Sequence, residues 1–197
     1  MSEYSIQDSG LSAVPRGAGQ HVGETMNTVE IVPIREEYAE GFNRVLGVVA
    51  RERRYLSFLD APSIESTRAF IRDNINSGFP QVVALSDDEV VGWCDVTRKA
   101  RPVHSHVGIL GMGLLPAFRG QGLGIKLIER ALTAAKEFGF HRVELSVRAD
   151  NLNAIALYKK AGFEPEGRLR NGVYVDNVHC DLMLMGILLQ SAEGNLS

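Results

Sequence analysis

The spacing of apolar residues changes several times along the chain, and each change marks a predicted element. Residues 1–27 hold Gly, Ser and Gln without a period and read as a flexible leader. Val29, Ile31 and Val32 supply β-branched content for a strand over 28–34. Phe42, Val45, Leu46 and Val49 then recur at helical spacing and predict a helix over 36–54. A charged and aromatic connection follows over 51–61, ending at Pro62. Ser63 is placed to cap a second helix over 64–77, and Gly78 to stop it. Three strands come next, over 81–85, 90–97 and 106–115, with Ser86, Asp87 and Asp88 as the first turn. That succession predicts an antiparallel meander.

From Arg119 the pattern changes. Ile125, Ile128, Leu132, Ala135 and Phe138 form one stripe of a long helix over 122–138, with Gly139 just past its end. A strand over 141–147 and a short helix over 153–161, stopped by Gly162, come after it. Two last strands, 164–170 and 173–187, read as a hairpin about Asn171-Gly172. The predicted fold class is mixed α/β: an antiparallel N-terminal half joined to a βαβ unit and a C-terminal hairpin. One domain is expected over 28–190, with 191–197 as a tail.

Composition narrows the function classes. The chain has 197 residues, of which 45% are hydrophobic and 23% charged, so it can bury a core without disulfide or metal staples. Its net charge of −3 gives no basic footprint for nucleic acid or an anionic membrane. The longest apolar run, 182–189, is interrupted by Gly186 and is far shorter than the roughly 18 residues of a membrane span. The first 20 residues lack an apolar stretch after a basic start, so no signal peptide is expected. Cys94 and Cys180 lie far apart in strand-like segments. They are expected to be two buried free thiols in a reducing cytoplasm.

The richest segment runs from Leu114 to Gly124, between an apolar strand and an amphipathic helix. Gly120, Gly122 and Gly124 alternate there, so the backbone can turn sharply and a ligand can approach its amides. Those amides belong to a helix N-terminus, whose unsatisfied donors and dipole favour a phosphate or pyrophosphate. Neither G-x-x-x-x-G-K-[S/T] nor G-x-G-x-x-G is present, because Ile125 stands where the third glycine of the latter would be. Glu144, some 20 residues beyond the glycines, keeps a dinucleotide reading open. A tight turn with no ligand is the plainer alternative.

Arg119 to Gly124, read R-G-Q-G-L-G, resembles the R/Q-x-x-G-x-G/A signature of the GNAT superfamily of N-acetyltransferases. Asn151 to Phe163, read NLNAIALYKKAGF, resembles that family's N-x-x-A-x-x-L-Y-x-x-x-G-F helix. The order of elements from residue 28 to 189 matches as well. The resemblance implies a GNAT-like fold with two splayed parallel strands and acetyl-CoA as the acetyl donor. It implies that Arg119, Gly120, Gln121, Gly122, Leu123, Gly124 and Ile125 form the pyrophosphate turn. Met112, Gly113 and Leu114 would pair with the pantetheine arm through their main chain, Asn151 would hydrogen-bond it, and Tyr158 would act as general acid toward the thiolate. A protonated phenol suits that last role at pH 7.

The general base is unassigned. Family members resembling the ribosomal-protein alanine N-acetyltransferase carry a Glu where this chain has Ser146. Glu144 lies on the same strand face but about 7 Å away. His106 is a second candidate. His104 and His106 share a face, yet no third metal ligand is evident and no metal is expected. Asp181, inside an apolar strand, is expected to be paired structurally. By resemblance the acceptor slot draws on Tyr55, Phe58, Asn171, Tyr174 and Asp176, while the run 51–54 reads as a solvated helix end. The expected activity is direct acetyl transfer to a primary amine of a small molecule, an amino acid or a protein N-terminus, in the cytoplasm. No nucleic-acid or membrane partner is expected, and a homodimer is left open. Two rivals remain: a non-catalytic CoA-binding or regulatory module of the same fold, and a nucleotide-dependent oxidoreductase.

Overall fold

The structure, a computed structural model, describes residues 28–189; the expected leader and tail lie outside them. Seven strands form one sheet in the order β1-β2-β3-β4-β5-β7-β6. They are β1 (Glu30–Pro33), β2 (Gln81–Ser86), β3 (Glu89–Arg98), β4 (Val107–Leu114), β5 (Arg142–Arg148), β6 (Glu164–Val175) and β7 (Val178–Leu188). The helices are α1 (Ala39–Arg51), α2 (Ile64–Ser77), α3 (Leu123–Phe138) and α4 (Leu152–Lys160). The antiparallel first half and the βαβ unit β4-α3-β5 are both present. The helix expected over 36–54 is a 3-10 turn, Glu36–Tyr38, followed by the shorter α1.

Strand alternation sends successive side chains to opposite faces, and each face has its own core. On one, Leu127, Ile128, Ala131 and Ala135 of α3 cluster with Val82, Cys94, Val96 and Leu110. On the other, Phe42, Val45 and Val49 of α1 and Ile71 of α2 cluster with Val83, Val90 and Trp93. The ends of the helices follow the expected chemistry. Ser63 Oγ accepts from the Ser66 amide at 3.2 Å, and Gly78 and Gly139 close α2 and α3 in left-handed conformations.

The junction of β4 and β5 matters most for function. This parallel pair is joined only at Val107↔Arg142, Gly108↔Val143 and Ile109↔Glu144. Beyond Ile109 β4 follows β3 and β5 follows β7, so the sheet opens into a wedge.

Two expectations are corrected. The hairpin turns at Asp176 and Asn177, with φ of +52° and +61°, not at Asn171-Gly172. Asn171 instead occupies a register break between Leu169 and Val173. Asp181 holds it there, accepting from the Asn171 amide at 2.8 Å and from Arg168 Nε at 2.7 Å. A left-handed Asn thus serves a bulge as well as a turn. Cys94 is buried, but Cys180 is only half-buried; both are free. Among the described residues no helix is long and apolar enough to cross a membrane.

Candidate active site

A cavity of about 510 Å³ occupies the wedge. Met112, Gly113 and Leu114 of β4 form one wall, and Ser146 and Val147 of β5 the other. Asn151, Leu157 and Tyr158 close it from α4, and Val49 and Tyr55 reach it from the opposite side of the sheet. At one end it meets Arg119, Gly120, Gly122, Gly124 and Ile125.

That end is shaped by backbone conformation. Gly120 and Gly122 have φ of +74° and +77°, a region costly for residues with a Cβ. Gly122 is the N-cap of α3 and offers no capping side chain, so the first amides of α3 are free to receive an anion beside the cavity. Gln121 and Leu123 do not line the cavity: the Gln121 side-chain Nε2 donates to the Ala117 carbonyl at 2.8 Å, and Leu123 is buried in the core.

Arg119 lines the cavity, but its guanidinium faces elsewhere. Nη1 and Nη2 contact the two Glu52 carboxylate oxygens at 2.9 and 2.5 Å, and Nε donates to the Leu114 carbonyl at 2.9 Å. The charge also stacks 4.8 Å from the Tyr55 ring. Asn151 caps α4, its Oδ1 accepting from the Ala154 amide at 3.2 Å. Tyr158 is buried, with its ring edge-on to Phe163. Burial pushes its phenol well above the usual tyrosine range, so it remains protonated at any ordinary pH.

The candidate bases separate. Ser146 is in the cavity, but Glu144 is not. Its carboxylate meets Lys99 Nζ at 2.5 Å and Arg142 Nε at 3.5 Å, at the closed end of the wedge. His106 lies beyond that end, its carbonyl accepting from the amides of His141 and Arg142. Among the described residues no group of three His, Cys, Asp or Glu is placed to hold a metal ion. Asp181 is paired structurally, as expected.

Of the five acceptor-slot candidates only Tyr55 lines the cavity. Phe58 is exposed, and the Tyr174 hydroxyl donates to Asn177 Oδ1 at 3.1 Å. Asp176 pairs with Arg53 at 2.7 Å, which ties the 52–63 connection to the β6–β7 turn. The run 51–54 is therefore not merely solvated: Arg51 pairs with Asp60, Glu52 with Arg119 and Arg53 with Asp176. Sequence reasoning missed Asp95, an 8%-exposed carboxylate on β3. The available signal was one acidic residue inside an otherwise apolar strand.

Comparison with known proteins agrees with this arrangement. Residues 45–163 match the acetyltransferase (GNAT) family. The chain is 32% identical to the L-amino acid N-acetyltransferase AaaT of Escherichia coli, over 75% of this chain and 94% of that protein. It is 32% identical to the N-alpha-acetyltransferase RimI of Mycobacterium tuberculosis, over 52% of this chain and 63% of that protein. A GNAT acetyltransferase from Streptococcus pneumoniae superposes with a TM-score of 0.77 at 26% identity, covering 83% of this chain and all of that one. YncA from Salmonella typhimurium, solved with acetyl-CoA, shares the fold with a TM-score of 0.80 at 17% identity, covering 87% of this chain and all of that one. The family match, the curated relatives and the split-sheet cavity together identify the chain as a member of the acetyltransferase (GNAT) family and an N-acetyltransferase, with acetyl-CoA as its cosubstrate.

Proposed function

We propose that the chain moves the acetyl group of acetyl-CoA directly to a primary amine, that of a small molecule, an amino acid or a protein N-terminus, in the cytoplasm. The observation that carries this reading is the cavity through the wedge, with the α3 amides at one end and both sheet faces represented in its walls. Acetyl-CoA supplies an acetyl thioester and a charged diphosphate. The backbone amides from Gly120 to Ile125 hold the diphosphate, with Gln121 and Leu123 contributing through their main chain alone. Main-chain groups of Met112, Gly113 and Leu114, on the stretch of β4 that no longer pairs with β5, hydrogen-bond the pantetheine arm, as an added strand would. Asn151 has oxygen and nitrogen in one amide, so it can cap α4 and still donate to the arm. Arg119 acts by holding the turn to Glu52 rather than by reaching the diphosphate. Among the acceptor classes, a free amino acid is favoured, because the relative matched over 75% of this chain is named for L-amino acids.

Tyr158 offers its hydroxyl proton to the departing sulfur. Its raised pKa makes it a hydrogen-bond donor throughout the working pH range. A thiol-release assay with a panel of amines tests the activity. At least one amine is expected to be acetylated; acetyl-CoA binding with no acceptor turned over would instead support the non-catalytic module. Tyr158→Phe should lower kcat by about 100-fold at nearly unchanged acetyl-CoA affinity. An unaltered kcat would remove Tyr158 from the reaction.

A further inference from the structure

An amine that arrives as an ammonium ion must lose a proton before it can attack. The groups put forward from the sequence do not receive it. Ser146 cannot, Glu144 faces Lys99 and Arg142, and His106 lies past the paired end of β4. Asp95 stands elsewhere, outside the cavity lining itself but beside its β4 wall. In the β3–β4 register it is opposite Gly111. Its Oδ1 and Oδ2 are the atoms nearest to where a Gly111 Cβ would sit, at 3.3 and 3.4 Å. Gly111 is two residues past Ile109, where pairing with β5 ends, and one before Met112 in the cavity wall. The carboxylate therefore leans over β4 at the mouth of the wedge. It shares a sheet face with Trp93, the face on which α1 packs.

We infer that Asp95 is the proton acceptor for the amine, reached over Gly111, where β4 carries no side chain. This deepens the acetyl-transfer reading and rests on it. The surroundings supply no counter-charge to Asp95. Across from it on β2 is Gln81, buried, whose Oε1 accepts from Asn74 of α2 and whose Nε2 has no partner. Phe42 of α1 packs against Trp93. The cations of α1 and α2 are engaged elsewhere, Arg44 with Glu89, Arg51 with Asp60, Arg68 with Glu40 and Arg72 with Glu36, and on β3's own continuation Lys99 is held by Glu144. The neighbouring Cys94 is a neutral buried thiol on the opposite face. Burial therefore dominates and pushes the Asp95 carboxyl up to about 7, with the Trp93 hydrogen bond opposing it only in part. A base with that pKa is matched to neutral pH.

The step balances in protons and bonds. The ammonium passes one proton to the Asp95 carboxylate. The freed nitrogen lone pair forms the C–N bond, and the C–S bond breaks. The sulfur takes the Tyr158 proton, Tyr158 regains one from the nitrogen as the amide forms, and Asp95 releases its proton to solvent.

The test is Asp95→Asn, which preserves volume and an oxygen for Trp93. Amine kcat/KM is measured from about pH 6 to 10, beside calorimetry of acetyl-CoA binding. Near pH 7 the variant should lose about 100-fold or more. The deficit should shrink as pH approaches the amine's own pKa, because solution then supplies neutral amine. Acetyl-CoA affinity should hold. A deficit equal at every pH, a lost acetyl-CoA affinity, or no deficit would each overturn the assignment. Should the variant fail to fold, the wild-type profile decides. An acid limb near 7 for every amine supports Asp95, and a limb that tracks each amine's pKa refutes it. A wild-type enzyme that binds acetyl-CoA but acetylates nothing would instead remove the acetyl-transfer reading itself.

Discussion

Tyr158 and Asp95 are buried side chains whose ionised forms are disfavoured for the same reason, the loss of hydration. For Tyr158 this fixes a donor. For Asp95 it creates a group that titrates within the working range, and stability must follow. A folded-state pKa above the unfolded value stabilises the fold below the unfolded pKa, near 4, and that stabilisation is lost as pH rises through about 7. Relative to Asp95→Asn, the wild type should lose roughly 1.4 kcal/mol per pH unit across that window and level off above it. Urea titrations at several pH values measure the difference. Parallel stability curves for the two proteins would show that Asp95 is not perturbed. In the apolar core, Leu127 is fully buried against the sheet, so Leu127→Ala should cost about 2–5 kcal/mol in the same assay.

Helix α3 opens and closes on left-handed glycines, Gly122 at φ +77° and Gly139 at +99°. Neither has an atom within 4 Å of the place a Cβ would occupy, so a substitution at either is strained by backbone alone, by roughly 1–2 kcal/mol. The two ends differ only in what lies beside them. Gly122→Val should therefore abolish or sharply weaken acetyl-CoA binding, whereas Gly139→Ala should lower the melting temperature comparably and leave binding intact. Calorimetry and thermal melts on both variants separate the two effects. Equal loss of affinity at both sites would mean that the anion does not sit at the start of α3. A milder element-level effect is expected at Ser63, whose hydroxyl caps α2; Ser63→Ala should cost about 1 kcal/mol.

Over the whole molecule, the 52–63 connection joins the two halves of the site. Glu52 holds Arg119 beside the glycine turn, and Arg53 holds Asp176 at the β6–β7 turn. These pairs are partly exposed, so each contributes little to stability, about 0–1 kcal/mol. Their effect should be on the position of the acceptor wall. Arg53→Ala is expected to raise the amine KM several-fold while the melting temperature barely moves, and added salt should reproduce part of that rise in the wild type. An amine KM indifferent to both changes would show that the acceptor does not use this wall.

Much of the fold was legible along the chain because local rules and the final packing agree. The α3 stripe, the Ser63 cap, the stop at Gly139 and the glycine turn follow from period and backbone freedom. The motif residues Met112, Gly122, Asn151 and Tyr158 do come together around one cavity. Other features depend on residues distant in sequence. Asn171-Gly172 and Asp176-Asn177 are both competent turns, and the Asp181 carboxylate, ten residues from Asn171, decides which one becomes a bulge. Arg119 reads as a phosphate ligand until Glu52, 67 residues away, takes its guanidinium. Asp95 reads as an isolated acid in a strand until the β3–β4 register sets it over the bare backbone of Gly111. Periodicity specifies which face a residue takes, whereas strand register and the divergence of β4 from β5 specify what it meets there, and only the folded sheet contains that information.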